Sequence, residues 1–143
     1  MKIAIVALLY ASLVTVLAAP AHATLYEIDF KLTTNAAYEA LQFRVGYSNA
    51  SGDFVGTGDD VDCTVNTGMG ALAALNDEDA NDLLKQAYMT TAAFQGPILV
   101  STCVFDRASG TPLASQFVIT IDDWSASHSQ PPTVAVTRIE TLP

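Results

Sequence analysis

The chain has 143 residues, of which 50% are hydrophobic, and a formal net charge of −9. All 15 acidic residues lie after residue 23, against five of the six basic ones, so that region carries 5 − 15 = −10 charges. An acidic surface repels phosphate backbones and anionic lipid. We therefore expect a partner that is neither nucleic acid nor a membrane surface.

Residues 1–23 have the pattern of a secretory signal peptide. Lys2 precedes an apolar run over 3–17, and Ala21-His22-Ala23 matches the small-x-small motif of a cleavage site. The apolar run is shorter than the roughly 20 residues that a membrane-spanning helix needs. The sequence thus predicts one domain over 24–143, secreted to the periplasm or the extracellular space, without membrane insertion after cleavage.

Alternating apolar and polar residues predict short strands in the first half of this domain. The period of two runs through 26–32, 41–47 and 61–65. Between these segments lie turn-forming clusters at 48–53 and 56–60, rich in Gly, Ser, Asn and Asp.

Runs of β-branched residues predict further strands at 97–105, 116–121 and 133–139. Short strands at fairly regular spacing are typical of an all-β sandwich. In the first of these runs Leu99 and Phe105 share a face with Cys103, while the other face is also apolar. A strand that is apolar on both faces is expected at the centre of a sheet.

The stretch 76–93 is the segment whose periodicity favours a helix. Asn76 or Asp77 suits the N-cap, and the acidic residues that follow suit the helix dipole. One side of such a helix would carry Leu83, Leu84, Ala87 and Tyr88. A strand over 84–89 is a weaker signal, so periodicity alone predicts a helix.

Two cysteines, Cys63 and Cys103, lie in the predicted mature domain. Export would place them in an oxidising compartment, so we predict one disulfide. Closing a loop of this length stabilises the fold by about 4 kcal/mol at most in the chain-entropy model. A zinc or redox site is the alternative, but the chain has no CxxC motif and only one histidine after residue 23, His128.

Two acidic groups raise the question of calcium. Asp77, Asp79 and Asn81 occupy positions 1, 3 and 5 of an EF-hand loop, but Asp82 and Tyr88 stand where that loop needs a glycine and a bidentate carboxylate. An EF-hand is therefore not expected. The second group, Asp59, Asp60 and Asp62, lies in a Gly-rich loop, and whether it binds calcium stays open. The sequence predicts no metal site and no cofactor.

No catalytic residue is predicted, and the protein is not expected to be an enzyme. A serine or cysteine nucleophile needs a base, and His128 lies in a Ser/Pro-rich loop without a nucleophile motif nearby. Asp122 and Asp123 are adjacent on a strand, so their side chains are expected on opposite faces, which disfavours glycoside hydrolysis. No phosphate-binding loop is present in the sequence.

Trp124 is the sole tryptophan and the candidate residue for glycan binding, since planar rings stack on sugar faces. Packing at the rim of the core is the alternative role for this ring, and we favour it. A glycan-binding module would need Trp124 and at least one tyrosine exposed and coplanar.

Three stretches together resemble the cohesin-type domain: "ALQFRVGYSNASGDFVG" (40–56), "LLKQAYMTTAAFQGPILVSTCVFD" (83–106) and "SQFVITIDD" (115–123). The corner is Phe94-Gln95-Gly96, and the long strand after it closes on Phe105. The resemblance covers most of the predicted mature domain.

This resemblance implies a jelly-roll β-sandwich of about nine strands, and it makes Leu84 to Met89 a strand, against the periodicity. It also implies a non-catalytic module that binds a protein partner, dockerin-like, through one sheet face. The disulfide would then link 61–65 to the long strand, either across the core or between neighbours. The alternatives are a carbohydrate-binding module for a polysaccharide, on a related sandwich, and a structural surface subunit.

Overall fold

The structure, a computed structural model, describes residues 23–143, so the predicted signal peptide over 1–23 lies outside the described residues except for Ala23. The strands in chain order are β1 Thr24–Leu32, β2 Ala37–Gly46, β3 Gly52–Phe54, β4 Gly56–Thr57, β5 Asp60–Val61, β6 Cys63–Val65, β7 Leu72–Glu78, β8 Leu83–Gln95, β9 Ile98–Arg107, β10 Val118–Ser125 and β11 Val134–Thr141. Three 3-10 turns, Thr67–Met69, Asp79–Asn81 and Ala114–Gln116, connect some of them. No helix within this part of the chain is long and apolar enough to cross a membrane.

These strands form two antiparallel sheets that pack face to face. Sheet A has five strands in the order β11-β1-β9-β3, with β6 also paired to β9, and sheet B has four in the order β10-β2-β8-β7. A separate two-stranded hairpin joins β4 to β5. The all-β sandwich of about nine strands predicted from the sequence is confirmed for residues 23–143.

The core lies between the sheets because the strand alternation turns the apolar faces inward. The core side chains of β1 include Ile28, Phe30 and Leu32, and those of β2 include Phe43, whose ring lies 6.2 Å from that of Phe30. Aromatic rings fill the end of the sandwich near β3. They are Tyr47, Phe54, Phe105 and Phe117, all buried.

Strand β9 is central, as its two apolar faces predicted. It pairs with β1 on one side and with β3 and β6 on the other. Cys63 and Cys103 are direct cross-strand partners, their Cα atoms lie 4.0 Å apart, and they form a disulfide. The predicted disulfide is therefore confirmed, and it joins neighbouring strands of sheet A. Cys103 is fully buried.

The helix predicted by periodicity over 76–93 is wrong. Strand β7 runs to Glu78, a single 3-10 turn follows, and β8 begins at Leu83. Pairing of β8 with both β2 and β7 supplies the backbone hydrogen bonds that a helix would have made internally. The buried residues of β8 include Leu84, Gln86 and Tyr88. Because Gln86 is polar, these residues did not give a clear alternation of apolar and polar residues in the sequence.

Gln86 is fully buried, and its hydrogen bonds explain how the core accepts an amide. Its Oε1 atom accepts hydrogen bonds from the Tyr88 hydroxyl at 2.5 Å and from the Ser101 hydroxyl at 2.6 Å. The Nε2 atom lies 3.8 Å from Cys103 Sγ. Because buried polar groups need partners, this network ties β8 of sheet B to β9 of sheet A.

An ion-pair network covers part of the outer face of sheet A. Arg138 donates from Nε to Asp29 Oδ2 at 2.7 Å and from Nη2 to Asp29 Oδ1 at 3.0 Å. The Thr102 hydroxyl donates to the same carboxylate at 2.6 Å. Chiefly the hydrogen bonds from Arg138 hold the pKa of Asp29 below its ordinary value, and partial burial opposes them. The charged form of Asp29 thus stabilises the fold.

We expect Arg138→Met to lower the free energy of unfolding at pH 7 more than the control Arg44→Met does, because the less exposed Asp29 would keep its charge without its main partner. A carboxyl whose folded pKa is depressed stabilises above its unfolded pKa, about 3.9, and this contribution disappears as the pH falls through the folded pKa. The difference between the two proteins should therefore shrink at about pH 2.5. Urea unfolding at both pH values measures it.

Arg44→Met is the matched control for this prediction. Arg44 pairs with Asp122 at 2.5 Å on sheet B, and its side chain is 45% exposed. An exposed pair of this kind contributes less than about 1 kcal/mol. Equal losses for Arg138→Met at pH 7 and at pH 2.5 would contradict the assigned role of Asp29.

Candidate functional site

A shallow groove of about 400 Å³ crosses the outer face of sheet B. Its floor is made of alanines, of which Ala74 and Ala87 are direct cross-strand partners on β7 and β8. Leu72 and Met89, partners in the same ladder, stand two pairs farther along and therefore on the same face. Cross-strand partners share a face of the sheet, so the register of β7 against β8 places two long side chains beside small ones. We call this surface the sheet B groove; Ala40, Gln42, Asp123 and Trp124 also line it.

The large side chains at this groove are unusually open to solvent. Leu72 is 79% exposed and Met89 is 64% exposed. Other exposed large apolar residues, such as Leu113 and Val118, are not paired with a second one in the strand ladders described. A paired apolar patch beside a small-residue floor is the kind of surface that marks an interaction site.

Gln42 and Asp123 are the polar residues that line the groove, and two ion pairs lie elsewhere on sheet B. Lys85 of β8 donates to Glu78 of β7 at 2.5 Å, and Arg44 donates to Asp122. A register shift between Ile121 and Asp123 places Asp122 beside Arg44 and Asp123 along the groove. The expectation that the two aspartates face opposite sides is therefore wrong, because the bulge turns both toward the outer face of sheet B.

Trp124, the candidate residue for glycan binding, is half-buried at the edge of the groove. Its ring packs edge-on against Tyr38 at 6.0 Å and stacks on His128 at 6.3 Å. Every tyrosine in residues 23–143 is buried: Tyr26, Tyr38, Tyr47 and Tyr88. Exposed tyrosines coplanar with Trp124 are thus not found in the described part of the chain.

Both ring nitrogens of His128 are held by backbone groups. Nε2 lies 2.8 Å from the carbonyl oxygen of Ala37, and the Gln130 N–H donates to Nδ1 at 3.1 Å. The proton must therefore be on Nε2. This geometry fixes the loop against β2 and leaves neither nitrogen free to accept a proton from a nucleophile.

The acidic residues of the Gly-rich loop are not the ones whose carboxylates converge. Asp59 and Asp60 lie in the β4–β5 hairpin, and Asp62 follows it. The carboxylates that converge within residues 23–143 are instead those of Asp53 and of Asp77, together with a third from Asp79. The EF-hand alignment contained Asp77 and Asp79, but no sequence pattern indicated Asp53, which lies on a different strand, far from the other two along the chain.

Tyr47 connects two of the converging carboxylates. Its hydroxyl oxygen lies 2.8 Å from Oδ1 of Asp53 and 2.8 Å from Oδ1 of Asp77. Burial, followed by these hydrogen bonds, raises the pKa of Tyr47. Burial is also the main cause that raises the pKa of Asp77 to about 6; the charges of Asp53, Asp79 and Asp82 add to it, whereas the bond from Tyr47 opposes it.

Comparison of the chain with models of known protein families, with curated proteins and with solved structures gave no match. The similarity to the cohesin-type domain stays a prediction from the sequence.

Proposed function

We propose that the protein is a secreted, non-catalytic binding module that recognises a protein partner through the sheet B groove. The observation that carries this proposal is the pair of exposed side chains, Leu72 and Met89, fixed side by side over a floor of alanines. Binding energy at protein interfaces concentrates in a few apolar anchors within a polar surround. The cohesin-like sequence pattern, which implies recognition through one sheet face, supports the same surface.

The chemistry of the groove indicates what the partner presents. The small alanine side chains leave room for one or two bulky apolar side chains of a partner beside Leu72 and Met89. The rim carries Asp123, and the region after residue 23 has a net charge of 5 − 15 = −10. A partner with an apolar ridge flanked by lysine or arginine would be complementary to both features.

The neighbouring strand edge also favours a polypeptide partner. Strand β7 pairs with β8 on one side. On its other side, the backbone hydrogen bond found within residues 23–143 is that from Asp77 N to Asp59 O at 3.3 Å. The part of β7 nearest Leu72 thus offers backbone groups that an extended chain can pair with. A polysaccharide has no peptide backbone with which to extend the β-ladder.

The test uses the double variant Leu72→Ser/Met89→Ser in a pull-down from the organism's own secreted proteins, followed by titration of the identified partner. We expect at least a tenfold weaker affinity, which corresponds to about 1.4 kcal/mol. Crosslinks from the partner should map to the outer face of sheet B. Raised salt should slow association because the charges are complementary.

Leu113→Ser is the matched control, since Leu113 is 61% exposed but lies in a loop away from the groove. It should bind like the unmodified protein. Equal binding by the double variant would rule out the groove. A polysaccharide array run in parallel covers the glycan alternative: retention on one polysaccharide that is lost in Trp124→Ala would replace the protein partner with a sugar. A structural surface subunit would show neither activity.

A further inference from the structure

The converging carboxylates lie where the two sheets meet at one end of the sandwich. Asp53 belongs to β3 of sheet A, Asp77 to β7 of sheet B, and Asp79 to the 3-10 turn that follows β7. They line a cleft of about 210 Å³. The β4–β5 hairpin borders the cleft through Gly56 and Gly58, and its Asp59 carbonyl accepts the Asp77 N–H.

The spacing of the three carboxylates suits a divalent cation. One oxygen from each of Asp53, Asp77 and Asp79 lies within 4.8 Å of the other two. Calcium binds oxygen at about 2.3–2.6 Å, so ligands on opposite sides of the ion are separated by about 4.6–5.2 Å. The separations of the three oxygens are therefore compatible with ligands of a single calcium ion.

An orphaned buried oxygen in the same group needs a ligand. Asp77 is 3% exposed, and its Oδ2 atom is buried with no hydrogen-bond partner within residues 23–143. The cleft lining contains no lysine, arginine or histidine to neutralise it. A buried carboxylate oxygen without a donor or a positive charge is costly, and a bound cation removes that cost.

We infer that Asp53, Asp77 and Asp79 form a calcium-binding site that links sheet A to sheet B. Asp60 and Asp106 also line the cleft and can complete the shell directly or through water. Calcium fits better than magnesium because it accepts irregular oxygen geometry, whereas magnesium demands a near-ideal octahedron. Sites of extracellular modules bind calcium with a Kd of about 0.1–1 mM, and we expect this range.

The inferred site differs from both calcium patterns considered in the sequence. It shares Asp77 and Asp79 with the EF-hand alignment, but Asn81 turns back toward Glu78 at 3.5 Å. The third ligand, Asp53, comes from the opposite sheet. The inference departs from the expectation of no metal site, and it does not depend on the proposed partner.

Thermal unfolding of the EDTA-treated protein, with calcium or magnesium added up to 10 mM, tests the site. Calcium should raise Tm by about 5–10 °C at the highest concentration, and magnesium by much less. Equilibrium dialysis with radioactive calcium should find one ion per chain. Terbium, a calcium substitute, should show luminescence sensitised by a tyrosine, because the Tyr47 hydroxyl contacts two of the ligands.

Two variants and a control make the result specific. Asp77→Asn keeps an acceptor for Tyr47 and should lose the calcium-dependent rise in Tm, and Asp53→Asn should lose it independently. Glu39→Gln removes an exposed carboxylate away from the cleft and should keep it. The inference is overturned if the unmodified protein binds no calcium at 10 mM, or if both variants respond as it does.

Discussion

Replacing both Cys63 and Cys103 with alanine is expected to lower the free energy of unfolding by about 3–4 kcal/mol. The disulfide closes a loop with a sequence separation of 40, which restricts the unfolded chain. Strands β7 and β8 lie within that loop, so the crosslink lowers the conformational entropy of a segment that belongs to sheet B. Urea unfolding at pH 7, followed by tryptophan fluorescence of Trp124, measures the loss.

Treatment with reductant distinguishes the effect of losing the crosslink from the effect of replacing the two cysteine side chains. The unmodified protein in dithiothreitol should unfold near the midpoint of the alanine variant, whereas the variant should not respond to reductant. Cys103 is fully buried and lies next to Gln86, so its loss adds a small cavity term that reduction alone does not produce. If reduction left the midpoint unchanged, the disulfide would contribute nothing to stability, against the loop-closure argument.

Much of the fold follows from local patterns in the sequence. The period of two in 26–32 and 41–47 reports that one face is buried, and β1 and β2 bury those residues. The double apolar face of 97–105 indicated a central strand, which β9 is. The two cysteines required only an oxidising compartment and a partner within reach.

Other features depend on contacts that no local pattern contains. The segment around Gln86 has a helical period, but a buried amide network and two neighbouring strands hold it extended. A bulge in β9 places Leu99 opposite Lys31, away from the face of Cys103, although the simple alternation put Leu99 and Cys103 together. One extra residue reverses the phase of every side chain beyond it.

The candidate sites, too, were only partly predictable from the sequence. Trp124 was visible as the only tryptophan, but its packing against Tyr38 and His128 was not. The groove depends on the register that pairs Leu72 with Met89, residues 17 positions apart in the chain numbering. The acidic cleft depends on β3 and β7 meeting from different sheets. Such sites could be found only once the sheets were assembled.

Phe105→Ala is expected to cost about 3–5 kcal/mol of unfolding free energy. Phe105 is fully buried, and its ring lies 5.1 Å from that of Phe54, 5.3 Å from Phe117 and 6.0 Å from Tyr47. Gly52 leaves the space for it, since a Cβ there would lie 2.6 Å from the Phe105 ring. Truncation would therefore empty the centre of the aromatic cluster. Urea unfolding measures the loss.

Leu72→Ala is the matched control for this core substitution, because Leu72 is 79% exposed and should change stability by less than about 0.5 kcal/mol. The same cluster positions Tyr47, whose hydroxyl contacts Asp53 and Asp77. If those rings hold the acidic cleft in shape, Phe105→Ala should also weaken calcium binding in the folded protein. A variant as stable as the unmodified protein would contradict the contribution to stability that we assign to this aromatic cluster.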